Sequence, residues 1–257
     1  MVVQLMQYQI SFIGLSNTGL VRKNNEDHWA YINSARLFVL ADGMGGHRGG
    51  EVASHEAIDY LEVFFKQFYE KSDKSLTGIA KALQESICEM NRIIYRMSRQ
   101  FSDLHGMGTT LCTLHIHRDG IVYGHVGDSR IYRLRDAKLE RLTQDHSLLR
   151  ELIELGQLSE QQEESFAYKH VLTKAIGTEP SIVPCIKTDN LAIGDQILLC
   201  SDGLTDMLLD SEIETILLDP LDSANSLMAK ALSRGGRDNI TLVLISILAN
   251  DATDDLS

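Results

Sequence analysis

The sequence predicts an α+β fold with antiparallel strand pairing, and three observations predict it. Residues 51–72 and 76–101 carry two long stretches of helical apolar period, parted around residues 72–74. Residues 109–142 switch to the two-residue period of a strand meander, and a second helical pair follows at 211–218 and 223–233.

In chain order, residues 9–15 read as an opening strand and Ser16, Asn17, Thr18 and Gly19 as the turn behind it. The polar, aperiodic loop that follows leads into a strand at 29–32 and places Arg22 near Glu26 and Asp27. Taken in isolation, a solvated connection with a local Arg-to-Asp pair explains these three residues better than a site does. Leu37, Phe38, Val39, Leu40 and Ala41 form a continuous apolar run, a buried strand that delivers Asp42 at its carboxyl end. Four of the seven residues after Asp42 are glycine. Such a stretch lets a ligand approach bare peptide groups, which suits a metal or a phosphate; an Asp-capped strand-to-helix turn is the plainer alternative.

The two long helices each show one apolar stripe. Val52, Ala53, Ala57, Leu61, Phe64, Phe65 and Phe68 form the first, and Ile79, Leu83, Ile87, Met90, Ile94 and Met97 the second. With so short a link the helices pack antiparallel on a sheet. The meander consists of strands at 109–117, 121–126, 129–134 and 139–142. His115, His117 and His125 fall on it and read as ordinary sheet-face histidines, since no partner pattern for a metal accompanies them. Gly127-Asp128-Ser129-Arg130 is more informative, because it interrupts a strand run with a carboxylate after a glycine.

A polar insertion at about 147–170 reads as a surface flap, with a short helix at 148–155 ended by Gly156 and another helical start at 159–164. Residues 171–177 return to the core, and strands follow at 182–189 and 196–200. The latter runs into Ser201-Asp202-Gly203, an echo of Asp42-Gly43, so two Asp-Gly turns converge at one edge of a sheet pair. Gly235-Gly236-Arg237-Asp238-Asn239 is the loop before a last strand at 240–248, and 250–257 reads as a disordered acidic tail.

Bulk properties bound the function. The 257 residues, 44% hydrophobic and 23% charged, suit one domain over 1–249 with a sizeable core. A net charge of -12 disfavours a nucleic-acid partner, which needs clustered Lys and Arg. No apolar run is long enough to span a bilayer, and residues 1–10 lack the pattern of a signal peptide. Cys88, Cys112, Cys185 and Cys200 are scattered within apolar segments and read as reduced core residues. We expect a cytoplasmic monomer with no membrane partner.

The strand-end carboxylates are Glu26, Asp27, Asp42, Asp128, Asp202 and Asp238. Converging carboxylates repel unless cations lie between them, and oxygen-only ligands suit magnesium or manganese. The segments Arg22-Lys23-Asn24-Asn25-Glu26-Asp27, Ala41-Asp42-Gly43-Met44-Gly45-Gly46, Gly108-Thr109-Thr110, Gly127-Asp128-Ser129-Arg130, Leu172-Thr173-Lys174-Ala175-Ile176-Gly177, Leu199-Cys200-Ser201-Asp202-Gly203-Leu204 and Arg237-Asp238-Asn239-Ile240-Thr241 occur in that order. Each is a weak signal, but in this order they resemble the PPM-type (type 2C) metal-dependent serine/threonine protein phosphatases, the compact bacterial members above all. The resemblance spans about residues 10–248.

The resemblance implies a four-layer αββα sandwich, two stacked antiparallel sheets each flanked by a helix pair. It implies that Asp42 bridges two divalent ions, manganese or magnesium, and that the Gly43 carbonyl binds one of them. Asp202 and Asp238 would complete the other shell, Glu26 and Asp27 would act directly or through waters, and Asp128 with Asp202 would hold a weaker third ion. Two such ions about 3.5–4 Å apart lower the pKa of a shared water toward roughly 7 and furnish a hydroxide nucleophile. Arg22 would hold the phosphoryl oxygens with its planar fork. The substrates implied are phosphoproteins, with a bacterial serine/threonine kinase as the opposing partner, and the flap would shape their access.

One departure stands out. Met44 occupies the place where many eukaryotic relatives carry a histidine proposed as general acid, which leaves a metal-bound water as the proton donor and His47 as a poorer candidate. Rival classes fit less well. A degenerate sensor would lack metal carboxylates, a two-metal nuclease would carry a basic stripe, and a dinucleotide loop would need glycine where Arg48 stands.

Overall fold

The computed structural model describes residues 2–4, 8–45, 48–71, 74–159, 162, 166–219 and 221–250. In order the elements are β1 (Val2–Gln4), β2 (Tyr8–Asn17), β3 (Asp27–Ile32), β4 (Leu37–Met44), α1 (Gly49–Lys71), α2 (Leu76–Gln100), β5 (Gly108–Thr109), β6 (Leu111–His117), β7 (Gly120–Val126), β8 (Arg130–Arg135), β9 (Lys138–Arg141), α3 (Leu148–Glu154), β10 (Cys185–Asp189), β11 (Gln196–Cys200), α4 (Asp202–Thr205), α5 (Asp210–Leu218), α6 (Ser223–Ser233) and β12 (Ile240–Ala249). One antiparallel sheet runs β1-β2-β12-β11-β8-β9 and the other β10-β7-β6-β4-β3, with β5 paired to β4.

Side-chain alternation along the strands builds the layers. Leu37, Val39 and Ala41 of β4 pack with Ala57, Leu61 and Phe65 of α1 and with Ile79, Leu83 and Ile87 of α2. Phe38 and Leu40 point the other way and meet Leu114, Ile131, Leu199, Val243 and Ile245 between the sheets. Leu198, Cys200, Leu242 and Leu244 face outward again, onto Ile213, Leu217, Leu227 and Ala231 of the C-terminal helices. Each fully buried Leu or Phe is worth about 1.5–3 kcal/mol, so these three apolar seams hold the four layers together. The αββα sandwich expected from the sequence is the fold observed.

Differences in detail have local causes. The strand expected over 109–117 is split at Thr110, whose amide leaves the ladder to donate to the Asp42 carbonyl at 2.8 Å. The strand expected from 182 starts at Cys185, after Pro184, which has no amide proton for a ladder. β1 precedes the expected opening strand and pairs with it, and the expected Asp202-Gly203 turn is the start of the short helix α4. The helical start at 159–164 lies largely outside the described residues, as do residues 251–257 of the acidic tail.

Candidate metal centre

Antiparallel order brings the start of β3, the end of β4, the end of β7, the end of β11 and the start of β12 to one edge of the sandwich. A cleft of about 700 Å³ opens there. Arg22, Glu26, Asp42, Gly43, Asp128, Asp202 and Asp238 all line it. Asp27 lies beneath, only 5% exposed. The structure thus brings together every residue singled out from the sequence for this chemistry, while Met44 forms part of the wall and His47 falls outside the described residues.

The carboxylates are held where ionisation costs most. Burial, opposed in part by the hydroxyls of Thr241 and Ser201, pushes Asp27 up to about 6. Burial and the neighbouring Asp145 push Asp128 up to about 7. Asp42 is driven well above the usual carboxylate range by burial and then by Asp27 and Asp202, and Asp202 by burial and then by Asp128 and Asp206. Burial also raises Glu26. Asp27 Oδ2 accepts from Ser201 Oγ at 2.8 Å, whereas Asp27 Oδ1 is buried with no hydrogen-bond partner among the described residues. An orphaned carboxylate oxygen beneath a ring of mutually repelling carboxylates fits a cation centre, and its all-oxygen donors suit magnesium or manganese.

Close backbone contacts fix the ring. A Cβ on Gly43 would lie 2.1 Å from the Gly50 carbonyl oxygen and 2.6 Å from that of Glu26, so only glycine lets β4, the 22–26 loop and the start of α1 meet. The Asp42 amide donates to Thr110 Oγ1 at 3.0 Å, and Thr109 Oγ1 donates to the Asp42 carbonyl at 2.9 Å. Arg22 Nη2 donates to Asp238 Oδ2 at 2.6 Å, across the mouth of the cleft.

Sequence reasoning left four contributors without a role: Asn239, Lys169, His170 and Asp206. Asn239 sits in a matching segment, yet its work shows only in three dimensions. Its Nδ2 donates to the Thr18 and Asn24 carbonyls at 2.9 and 2.8 Å, and its Oδ1 accepts from the Glu26 amide at 2.8 Å. From the far end of the flap, Lys169 and His170 reach the cleft and approach Asp206 at 3.7 and 3.5 Å. Ligand atoms of His170, Asp202 and Asp206 lie within 4.8 Å of one another. Asp206 would have been visible as the i+4 neighbour of Asp202 had a helix been read there. His115 instead bonds the Ala35 carbonyl through Nδ1 at 2.7 Å and His125 the Gln144 carbonyl through Nε2 at 2.7 Å, the structural roles expected of sheet histidines.

The model of the protein phosphatase 2C family matches residues 21–241, a span that contains the whole cleft from Arg22 to Asp238. The chain belongs to this family: it is a protein phosphatase of type 2C. It is 37% identical over 244 residues to protein phosphatase PhpP of Streptococcus pneumoniae, covering 93% of this chain and 98% of that protein. It superposes with a TM-score of 0.85 on a serine/threonine phosphatase of S. agalactiae, 37% identical, over 92% of this chain and 99% of that one. The catalytic domain of the serine/threonine protein phosphatase PstP, solved with two manganese ions, gives a TM-score of 0.82 at 33% identity, over 95% of this chain and all of that one.

Proposed function

We propose that the cleft hydrolyses phosphoserine and phosphothreonine esters in proteins with the help of divalent cations. The observation that carries this reading is the convergence of Arg22 and six carboxylates on one cleft above the orphaned Asp27 oxygen. Asp42 and the Gly43 carbonyl, with Asp202, Asp238, Glu26 and Asp27, are the groups that would hold two ions, manganese or magnesium. Asp128 with Asp202 would hold a third, weaker one. When bound, such ions acidify a shared water and offset the charge of the phosphoryl group.

The chain's own residues supply orientation. Arg22 is 55% exposed at the mouth, and Asp238 holds it over the cleft while other donors of its fork are left for phosphoryl oxygens. Cys200 is buried and its thiol is pushed up to about 12, so it packs and does not attack. Met44 has no proton to give, and the leaving oxygen takes its proton from cleft water.

Residues 1–249 act as one catalytic domain, with the insertion at about 147–170 shaping access of the phosphoprotein. The free cysteines support a cytoplasmic location, where the chain would act as a monomer that reverses the action of a serine/threonine kinase. The test is hydrolysis of p-nitrophenyl phosphate and of a phosphothreonine peptide with manganese, magnesium or chelator, beside Asp42→Asn. Metal-dependent turnover that is absent in the variant supports the reading. No turnover by folded protein with either metal would contradict it.

A further inference from the structure

His146 stands between the cleft and the insertion. Three hydrogen bonds meet on it: its amide donates to the Gly127 carbonyl at 2.9 Å, its Nδ1 accepts the Gly127 amide proton at 3.1 Å, and its carbonyl accepts from the Thr173 amide at 2.9 Å. One residue therefore grips both backbone groups of Gly127, immediately before Asp128. Gly127 has a φ of +99°, which glycine adopts freely and other residues rarely do, and a Cβ there would fall 2.7 Å from Thr110 Cγ2.

The grip is anchored. The Leu148 amide donates to the Val171 carbonyl at 2.8 Å and Ser147 pairs with Leu172, so His146 and Thr173 close the stem of the insertion. The His146 ring stacks on His125, centroids 4.7 Å apart and planes 7° from parallel, while His125 Nε2 is held by the Gln144 carbonyl at 2.7 Å. A ring nitrogen that accepts from an amide carries no proton, which places the ring proton on Nε2. Removing the imidazole would keep the amide-to-carbonyl bond with Gly127 and lose only the one to Nδ1.

We propose that the His146 imidazole is a positioning residue for Asp128: by holding the Gly127 amide against the stem of the insertion, it sets the carboxylate that binds the weakest cation of the cleft. The inference rests on the reading of Asp128 as a cation ligand. Groups that orient a ligand typically change metal affinity by about 10–100-fold when removed.

The test is a manganese titration of the full chain, read by the electron paramagnetic resonance of free manganese, on the native protein, His146→Ala, His146→Asn and Asp128→Asn. Asn offers an amide oxygen in place of Nδ1. His146→Ala should weaken the weakest binding step by about tenfold and leave the tighter steps within about twofold, and His146→Asn should restore most of the loss. Asp128→Asn should lose that step altogether. If Asp128→Asn keeps it, the ligand reading fails and the proposal falls with it. If Asp128→Asn loses it but His146→Ala binds like the native protein, the positioning role alone is overturned. Equal weakening of every step, or no rescue by His146→Asn, would mark His146 as a general support of the fold and overturn the proposal as well.

Discussion

Asp27 and Asp42 are Cα partners across the β3–β4 ladder, two carboxylates on one rung at the edge where the cleft opens. Like charges placed opposite each other in a sheet oppose folding, and here both groups are also shielded from water. The rung makes sense as a place held for cations.

Asp42→Asn should therefore separate stability from function. In chelator at alkaline pH, where both carboxylates are forced to ionise, relief of about 1 kcal/mol of repulsion should raise the melting midpoint by roughly 2–4 °C. Manganese should raise the midpoint of the native protein and leave the variant almost unmoved. Thermal scans with and without metal check both, and a variant that melts lower than the native protein in chelator at alkaline pH would contradict the repulsion.

Asn239→Ala should damage the site through its loops. Asn239 is 6% exposed and satisfies the Thr18 and Asn24 carbonyls and the Glu26 amide. Leaving such groups unpaired costs about 1–3 kcal/mol, and the loop that carries Arg22 should loosen. We expect a higher KM for a phosphopeptide in steady-state kinetics, with the midpoint of urea unfolding lowered.

Gly43→Ala should be worse than its size suggests. The added methyl group meets two carbonyl oxygens, of Gly50 and Glu26, and both belong to backbone that cannot step aside. Such overpacking typically costs about 1–3 kcal/mol. Circular dichroism melting should show the loss, and phosphatase activity should fall with it.

Stability should also fall in mild acid through His115. Burial holds its pKa down to about 4, below the value of 6.5 for a free imidazole. The buried neutral ring thus contributes stability that is complete above about pH 6.5 and is lost as pH falls from there toward 4. The effect amounts to about 3 kcal/mol. Urea unfolding at pH 7 and pH 4.5 should show a smaller pH dependence in His115→Gln than in the native protein.

Much of this was legible in the sequence because its signals were local. The stripe from Val52 to Phe68 announces α1, and alternation through residues 37–40 explains which side chains meet α1 and which meet the other sheet. The candidate site was legible only as a set: Asp42, Asp128 and Asp202 stand beside glycines at strand ends, each weak by itself, and it is the order of their segments that resembles the type 2C phosphatases. What was hidden depends on distance along the chain. The Asn239 contact with Asn24 joins residues 215 positions apart, and no local pattern encodes it. Asp206 was missed because Asp202-Gly203 imitates a turn, and the helix that sets the two carboxylates four residues apart is only one turn long.

The most direct test of the central claim is anomalous diffraction at the manganese edge from crystals grown with manganese, for the native protein and Asp42→Asn. The account predicts two strong peaks within the cleft, beside Asp42, the Gly43 carbonyl, Asp202 and Asp238, and their loss in the variant. Peaks elsewhere, or a cleft without peaks at saturating manganese, would contradict it.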